Sequence, residues 1–526
     1  MRLLKAFLIL PACLSTSAEP AWARLAAWGS LEPGTEAVGF KTIFVHDKSR
    51  VWRQTRPYGA AFKPDLDGRP LQINLWYPSV ARTGKAMRYA DYADPKAPQG
   101  FAILAELAGR RSSETISAIP KSAVPSLLAD PVAARTVATP KRSKYPLVLL
   151  LGGLGSEINA NFVLAEYLAS HGYVVASISL LGPNERQPDQ SGSPDSIEAN
   201  VRDLEFATPV ICATVNADCG KLGVAGHSVG AVIGALFANR NGNVSAVVAL
   251  DGTYGFKGAG EVLTKAVGYA PRNMRAPILD LRRAEGSQSA ELDLSPILAF
   301  AHSDLTLATI PNVHHSDFTS FALMADRYGV PAEPQYERTG WDRATGRRGY
   351  EDAARIVLAF LDTRLSGAAS DAAIQDLAAA PDGSLRHVEA APPIPSPNEA
   401  LQIAAQGGLA ALQSVIQRAC RGSPPGACVD QQLFNSSGYN LMSRDAAASV
   451  TLFEMVAWAH PDSANAQDSL ADGYLAANRP SDALRSSART LELAPNDANL
   501  DEQHRQEIMK AARQRIEALN AASKGS

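Results

Sequence analysis

The sequence predicts an α/β fold, a mostly parallel central sheet flanked by helices, with a small all-α region behind it. Three observations carry that expectation. From Pro146 onward, short continuous apolar runs alternate with helix-like segments, the pattern of parallel strands buried on both faces. One of those runs gives way to a helix at Gly226-His227-Ser228-Val229-Gly230, a serine between two glycines. Beyond the proline-dense stretch at 391–397 the pattern is helical only. A chain of 526 residues is too long for one small module, and 46% hydrophobic residues supply a sizeable core. Lys plus Arg number 50 against 53 Asp plus Glu, a formal net charge of −3, so the positive field that nucleic acid requires is missing.

Residues 1–23 follow the plan of a secretory signal peptide. Arg2 and Lys5 precede the apolar run from Ala6 to Leu10, and small-residue cleavage sites follow at Thr16-Ser17-Ala18 and Ala21-Trp22-Ala23. A lipid-anchored alternative uses Leu10-Pro11-Ala12-Cys13. The run is far shorter than the ~20 residues of a membrane-spanning helix, and no later stretch qualifies. The expectation is an exported chain, periplasmic or secreted, without a transmembrane segment. Cleavage leaves four cysteines in two close pairs, Cys212 with Cys219 and Cys420 with Cys428. An even number in an exported chain points to two local disulfides, and neither pair has the spacing or the histidines of a metal site.

The first domain is expected over 35–366. Thr42 to Val45 and the alternating Leu71 to Tyr77 read as antiparallel strands that open the sheet. Residues 89–143 are irregular, a helical insertion or a cap. The strand Leu147 to Leu151 is followed by a glycine turn, a helix with Phe162, Ala165 and Leu168 on one face, and the strand Tyr173 to Ile178. A helix bearing Ile197, Val201 and Leu204 leads to the strands Leu222 to Ala225 and Val244 to Leu250, with further strands expected at Pro277 to Leu281 and Ile297 to Ala301. Tyr350 to Leu365 closes the domain as an amphipathic helix with Ile356, Phe360 and Leu361 inward. Residues 367–400, rich in Ala and Pro, read as a linker. In 401–526 a faint period appears: Gly438-Tyr439 recurs as Gly473-Tyr474, and His460-Pro461 as Ala494-Pro495. A period near 34 with these residues resembles tetratricopeptide repeats, which implies a helical tail able to recruit a protein partner.

The glycine-flanked Ser228, lying between a strand and the helix from Ala231, has the context of a nucleophile elbow, in which a cramped turn lifts Oγ clear of the sheet. A serine at its ordinary pKa needs a base, and the base needs an acid to hold it in the useful tautomer. His302, His314 and His315 are the histidines available between Ser228 and the closing helix; His315 is placed first. For the acid, Asp251 ends a strand at the sheet edge where the elbow emerges, with Asp280 and Asp304 as competitors. The turn Gly152-Gly153-Leu154-Gly155 aims the Leu154 N–H, and the Val229 N–H follows the nucleophile; together they form a candidate oxyanion hole. No dinucleotide cofactor is expected, since G-x-G-x-x-G is absent, and no metal, since the cysteine pairs lack ligand spacing.

Taken together, residues 38–365 resemble the α/β-hydrolase superfamily and, within it, the platelet-activating factor acetylhydrolase (isoform II) branch and its bacterial relatives, neighbours of dienelactone-hydrolase-like proteins. The residues concerned are Val38-Gly39-Phe40, Trp76-Tyr77-Pro78, Gly153-Leu154-Gly155, Gly226 to Gly230, Leu250-Asp251, and His315 with Phe318. The resemblance implies Ser228 as nucleophile, Asp251 as acid and His315 as base, with Leu154 and Val229 as oxyanion donors and Gly226, His227 and Gly230 shaping the elbow. Gly152 and Ala231 depart from the branch, which often has histidine and glycine there. The activity implied is an exported serine hydrolase of small or short-acyl carboxylic esters. An amidase or peptidase with the same triad, and a non-catalytic binding protein on this fold, remain as alternatives.

Overall fold

Continuous apolar runs do become strands buried on both faces. In a computed structural model of the chain the described residues are 25–53, 65–94, 96–284, 292–332, 341–368, 374, 384–421 and 423–525. The signal peptide expected over 1–23 lies outside them, as does 333–340 of the loop before the closing helix. The described residues fall into two compact units: one runs to Ala270 and includes Ala276–Leu298 and Leu305–Val388; the other comprises Pro271–Arg275, Ala299–Asp304 and the chain from Glu389.

The first unit is built on thirteen strands: β1 Ala37–Asp47, β2 Arg69–Ser79, β3 Lys85–Arg88, β4 Pro131–Thr136, β5 Tyr145–Leu151, β6 Val174–Ile178, β7 Leu181–Asn184, β8 Gln187–Asp189, β9 Ala217–His227, β10 Val244–Leu250, β11 Ile278–Arg283, β12 Leu305–Ile310 and β13 Ser384–Val388. Eleven form one sheet in the order β13-β12-β11-β10-β9-β5-β6-β2-β1-β4-β3, while β7 and β8 pair separately. From β6 through β5, β9, β10 and β11 to β12 every pairing is parallel, so these strands present their C-terminal ends along one edge.

The helices of this unit are α1 Tyr89–Ala93, α2 Ala102–Ser117, α3 Val124–Ala129, α4 Phe162–Ser170, α5 Pro194–Thr214, α6 Val229–Arg240, α7 Glu261–Thr264, α8 Ser295–Leu298, α9 Phe321–Arg327 and α10 Arg343–Leu361. α4 is buried on every side and α6 nearly so, as their all-round apolar sequences require. In α10, Ile356, Phe360 and Leu361 face inward as expected. The helix starts earlier than its apolar face implies, because Asp342 caps it by accepting from Thr345 N at 2.7 Å. Glu166 of α4 ties three distant segments together. Its carboxylate accepts from Trp28 Nε1, Tyr92 Oη and the amides of Ala133 and Ala134, all within 3.1 Å.

Two expectations need correction. Ile297 to Ala301 is not a strand: Asp293 and Pro296 start the short helix α8 there, and the strand is β12 further on. β2 alternates in sequence but is buried along its whole length; Gln72 and Asn74 are inside and hydrogen-bonded to one another, and Asn74 also to Asn159. Part of the stretch read as linker is ordered, since Ser384–Val388 adds the edge strand β13 antiparallel to β12. The irregular 89–143 resolves into α1, α2, α3 and β4.

In the second unit, helices span Pro397–Ala419, Gln431–Met442, Ala446–Ala459, Ala464–Ala476, Pro480–Leu493 and Glu502–Gly525. Successive pairs start 33 and 34 residues apart, from 431 to 464 and from 446 to 480. The sequence period has a packing cause: a side-chain carbon on Gly438 or on Gly473 would come within 2.6 Å of the Phe453 ring, which lies against both. Disulfides join Cys212 to Cys219 and Cys420 to Cys428, with Cα atoms 6.2 and 5.9 Å apart. Among the described residues no helix is long and apolar enough to cross a membrane.

Candidate active site

Ser228 sits where β9 ends and α6 begins, with φ 57° and ψ −121°, a conformation costly for a residue with a side chain. The flanking glycines are what make the turn possible. A Cβ on Gly226 would fall 2.3 Å from the Gly230 carbonyl, and one on Gly230 2.5 Å from Gly152 O. Ser228 N donates to Leu250 O and Ser228 O accepts from Thr253 N, which fastens the turn to the loop after β10. Among the described residues no group accepts the backbone N–H of Leu154 or of Val229. Leu154 itself is exposed, while Val229 heads α6.

Asp251 directly follows β10 and is fully buried, also at positive φ (49°). Its Oδ2 accepts from His315 Nδ1 at 2.6 Å. His315 opens a 3-10 turn, His315–Phe318, shortly after β12, and its side chain is 32% exposed, so one face of the imidazole reaches solvent while Nδ1 is held inside. Burial pushes the Asp251 carboxyl up, but the hydrogen bond from His315 and the charge of Arg283 outweigh it, and the group lies below the ordinary carboxylate value. His227 packs its ring 4.5 Å from that of His315, and its Nε2 bonds His315 O at 2.9 Å. Burial lowers its pKa to about 3, so it is a neutral donor at any ordinary pH.

Of the competing candidates, none joins this pair. His314 turns its ring against Trp341, and its amide donates to Asp317 Oδ2 at 2.8 Å. His302 bonds Ala391 O, and Asp304 accepts from Ala390 N, both within the second unit. Asp280 pairs with Arg282 inside β11. Ser228 Oγ hydrogen-bonds Thr253 Oγ1 at 3.2 Å, and no hydrogen bond links it to His315 among the described residues. Such bonds commonly tighten only in the substrate complex.

Four residues at the site escaped the sequence. Thr253 meets the Ser228 hydroxyl. Arg111 of α2 donates to Ser156 O and Leu180 O, while its neighbour Ser112 bonds Glu157; Ser156 Oγ in turn accepts from Gly153 N. The insertion therefore braces the turn that carries Leu154. Asp317 holds the His315 turn by accepting from His314 N and Trp341 Nε1, and burial raises its pKa to about 6. Arg283, at the end of β11, lies beside Asp251. The signals available for them were slight: a threonine two residues past the acid, and charged residues within apolar surroundings.

A largely parallel sheet with a serine elbow after a central strand, flanked by helices, is the α/β-hydrolase fold. Residues 111–281 match the family model described as Chlorophyllase, a stretch that holds Ser228 and Asp251 and stops before His315. A solved structure described as a ferulic acid esterase from Streptomyces cinnamoneus is 22% identical, with a TM-score of 0.44, over 67% of this chain and 97% of that one. Nothing among curated proteins matches the chain.

Proposed function

We propose that the chain is an exported serine hydrolase that cleaves small or short-acyl carboxylic esters through an acyl-enzyme. The observation that carries this reading is the convergence of three separate strand ends: Ser228 raised on a strained elbow after β9, and the Asp251–His315 pair, 2.6 Å apart, after β10 and β12. In this reading Ser228 Oγ attacks the acyl carbon and its proton passes to His315 Nε2, while Asp251 keeps the Nδ1 proton in place. The Leu154 and Val229 amides, for which the described residues offer no acceptor, receive the developing oxyanion. His315 then returns the proton to the departing alcohol, and water repeats the sequence on the acyl-enzyme to release the acid. Side chains and backbone amides supply every group required.

The narrower likeness to the platelet-activating factor acetylhydrolase branch, the export expected from residues 1–23, and a tetratricopeptide-like tail that recruits a protein partner belong to the same proposal. The helix pairs repeating every 33 to 34 residues support the tail, and the two disulfides support an oxidising compartment. The test is labelling by a fluorophosphonate followed by a panel of esters of increasing acyl length with matched amides. Ser228 is expected to carry the label, and esters to be turned over faster than amides. A chain that neither labels at Ser228 nor hydrolyses any of the esters would sink the reading.

A further inference from the structure

A fully buried carboxylate far from any cation keeps its proton, and a neutral acid cannot steady an imidazolium. Asp251 meets the burial condition, and in the proposed reaction its partner His315 takes up the serine's proton and then returns it. A fixed positive charge adds to the His315 hydrogen bond and steadies the carboxylate through the whole of that cycle. The titratable and charged groups around Asp251 are His315 from the turn after β12, His227 from the end of β9, and Asp280, Arg282 and Arg283 from β11. His227 is neutral, and Asp280 with Arg282 form their own ion pair. Arg283 also faces the acid. Its Nη1 lies 3.5 Å from Asp251 Oδ2, the oxygen that bonds His315, and its backbone N is 3.5 Å from Oδ1.

The distances separate two roles. At 3.5 Å the guanidinium acts as a charge without displacing the 2.6 Å bond from His315 Nδ1. Arg283 is itself buried and lies over the Phe256 ring at 4.5 Å, and that ring is 6.0 Å from the His315 ring. We propose that Arg283 is a positioning residue of the reaction, the fixed countercharge that holds Asp251 as a carboxylate with Oδ2 turned to His315. The proposal rests on the hydrolase reading above.

The experiment follows the rate of fluorophosphonate labelling against pH in the full chain, for the unsubstituted protein and for Arg283→Met and Arg283→Lys. Without the cation the buried acid holds its proton to higher pH. The acid limb of the Met variant should therefore rise by about one pH unit, and Lys should recover more than half of that. An unmoved limb in the Met variant, or a Lys variant displaced as far as Met, would overturn the proposal. A second measurement needs no catalysis and covers a Met variant too unstable to assay. Melting temperatures of Arg283→Met, Asp251→Asn and the double variant form a cycle, and removing the carboxylate as well should restore most of the stability lost with Arg283. Additive losses, or a double variant that fails to fold as the Met variant does, would overturn it. Absence of label on Ser228 in the unsubstituted chain sinks the hydrolase reading instead, and leaves the cycle to judge the Arg283–Asp251 pairing.

Discussion

The two halves of the candidate site are built from different materials. On the side of the proposed nucleophile, around β5 and β9, the work falls to the backbone: a positive φ at Ser228, glycines where chains touch, and amides with no acceptor among the described residues. On the base side, around β10, β11 and β12, it falls to side chains brought together from distant positions: Asp251, Arg283, His315, Asp317 and Trp341. Backbone geometry is imposed locally and leaves a motif. An assembly of charges is imposed by the sheet order and leaves none. The nucleophile side should thus fail through shape and the base side through charge and pH.

The largest expected effect strikes both sides at once. Ser228→Ala, His315→Ala and Asp251→Asn should each lower ester turnover by roughly 10⁴-fold, with little further loss in combination, because the three act as a unit. His314→Ala should lose about tenfold or less, since its ring packs on Trp341 instead of meeting Asp251. Steady-state kinetics on one ester decides, and full activity in the His315 variant would break the comparison.

A step smaller, Arg111→Met tests whether shape governs the nucleophile side. Losing the guanidinium frees the turn at Ser156 and with it the Leu154 amide, and a displacement of about 1 Å costs on the order of 10² in rate. The loss should appear in kcat across the whole pH range, with no shift of the acid limb.

Asp317→Asn tests charge on the base side. The folded-state pKa of about 6 is raised, so folding favours the protonated acid, and the ionised form destabilises the protein at every pH above that value. The penalty, about 3 kcal/mol at most, is relieved as pH falls from 6 toward 4. The Asn variant should be more stable than the parent at pH 7.5, and the advantage should vanish near pH 4. Denaturant unfolding at the two pH values measures it, and an advantage that persists at pH 4 would contradict the assignment.

The smallest effect on rate is expected from Cys212→Ser with Cys219→Ser. That disulfide joins the end of α5 to the start of β9, the strand that delivers Ser228. Opening an eight-residue loop should cost about 2.5 kcal/mol of stability on the chain-entropy model, with labelling of Ser228 unchanged at temperatures where the chain is folded.

The same division explains what could be read in advance. The elbow, the central strands and α10 were visible because Gly226 to Gly230, the apolar runs and the i, i+4 spacing of Ile356 and Phe360 are local signals. β12 was missed: Ile297 to Ala301 and Leu305 to Ile310 are both short apolar runs, and only Pro296 and the bond from Ser295 N to Asp293 tell helix from strand. The burial of Gln72 and Asn74 was invisible because Asn159, which takes the other bond of Asn74, lies far along the chain. Arg111 and Arg283 were hidden for that reason too, as contacts that exist only once the sheet has been ordered.

Glu166 bears on how the molecule becomes native. Burial raises its pKa, and its four donors arrive from three stretches, at Trp28, at Tyr92 and at Ala133 with Ala134. Any subset leaves lone pairs of a buried acid unmet, so partial docking gains little until the last donor is in place. The three stretches should consequently lock and release as one cooperative unit, with the amides of Ala133 and Ala134 and the Trp28 indole N–H exchanging hydrogen at a common opening free energy.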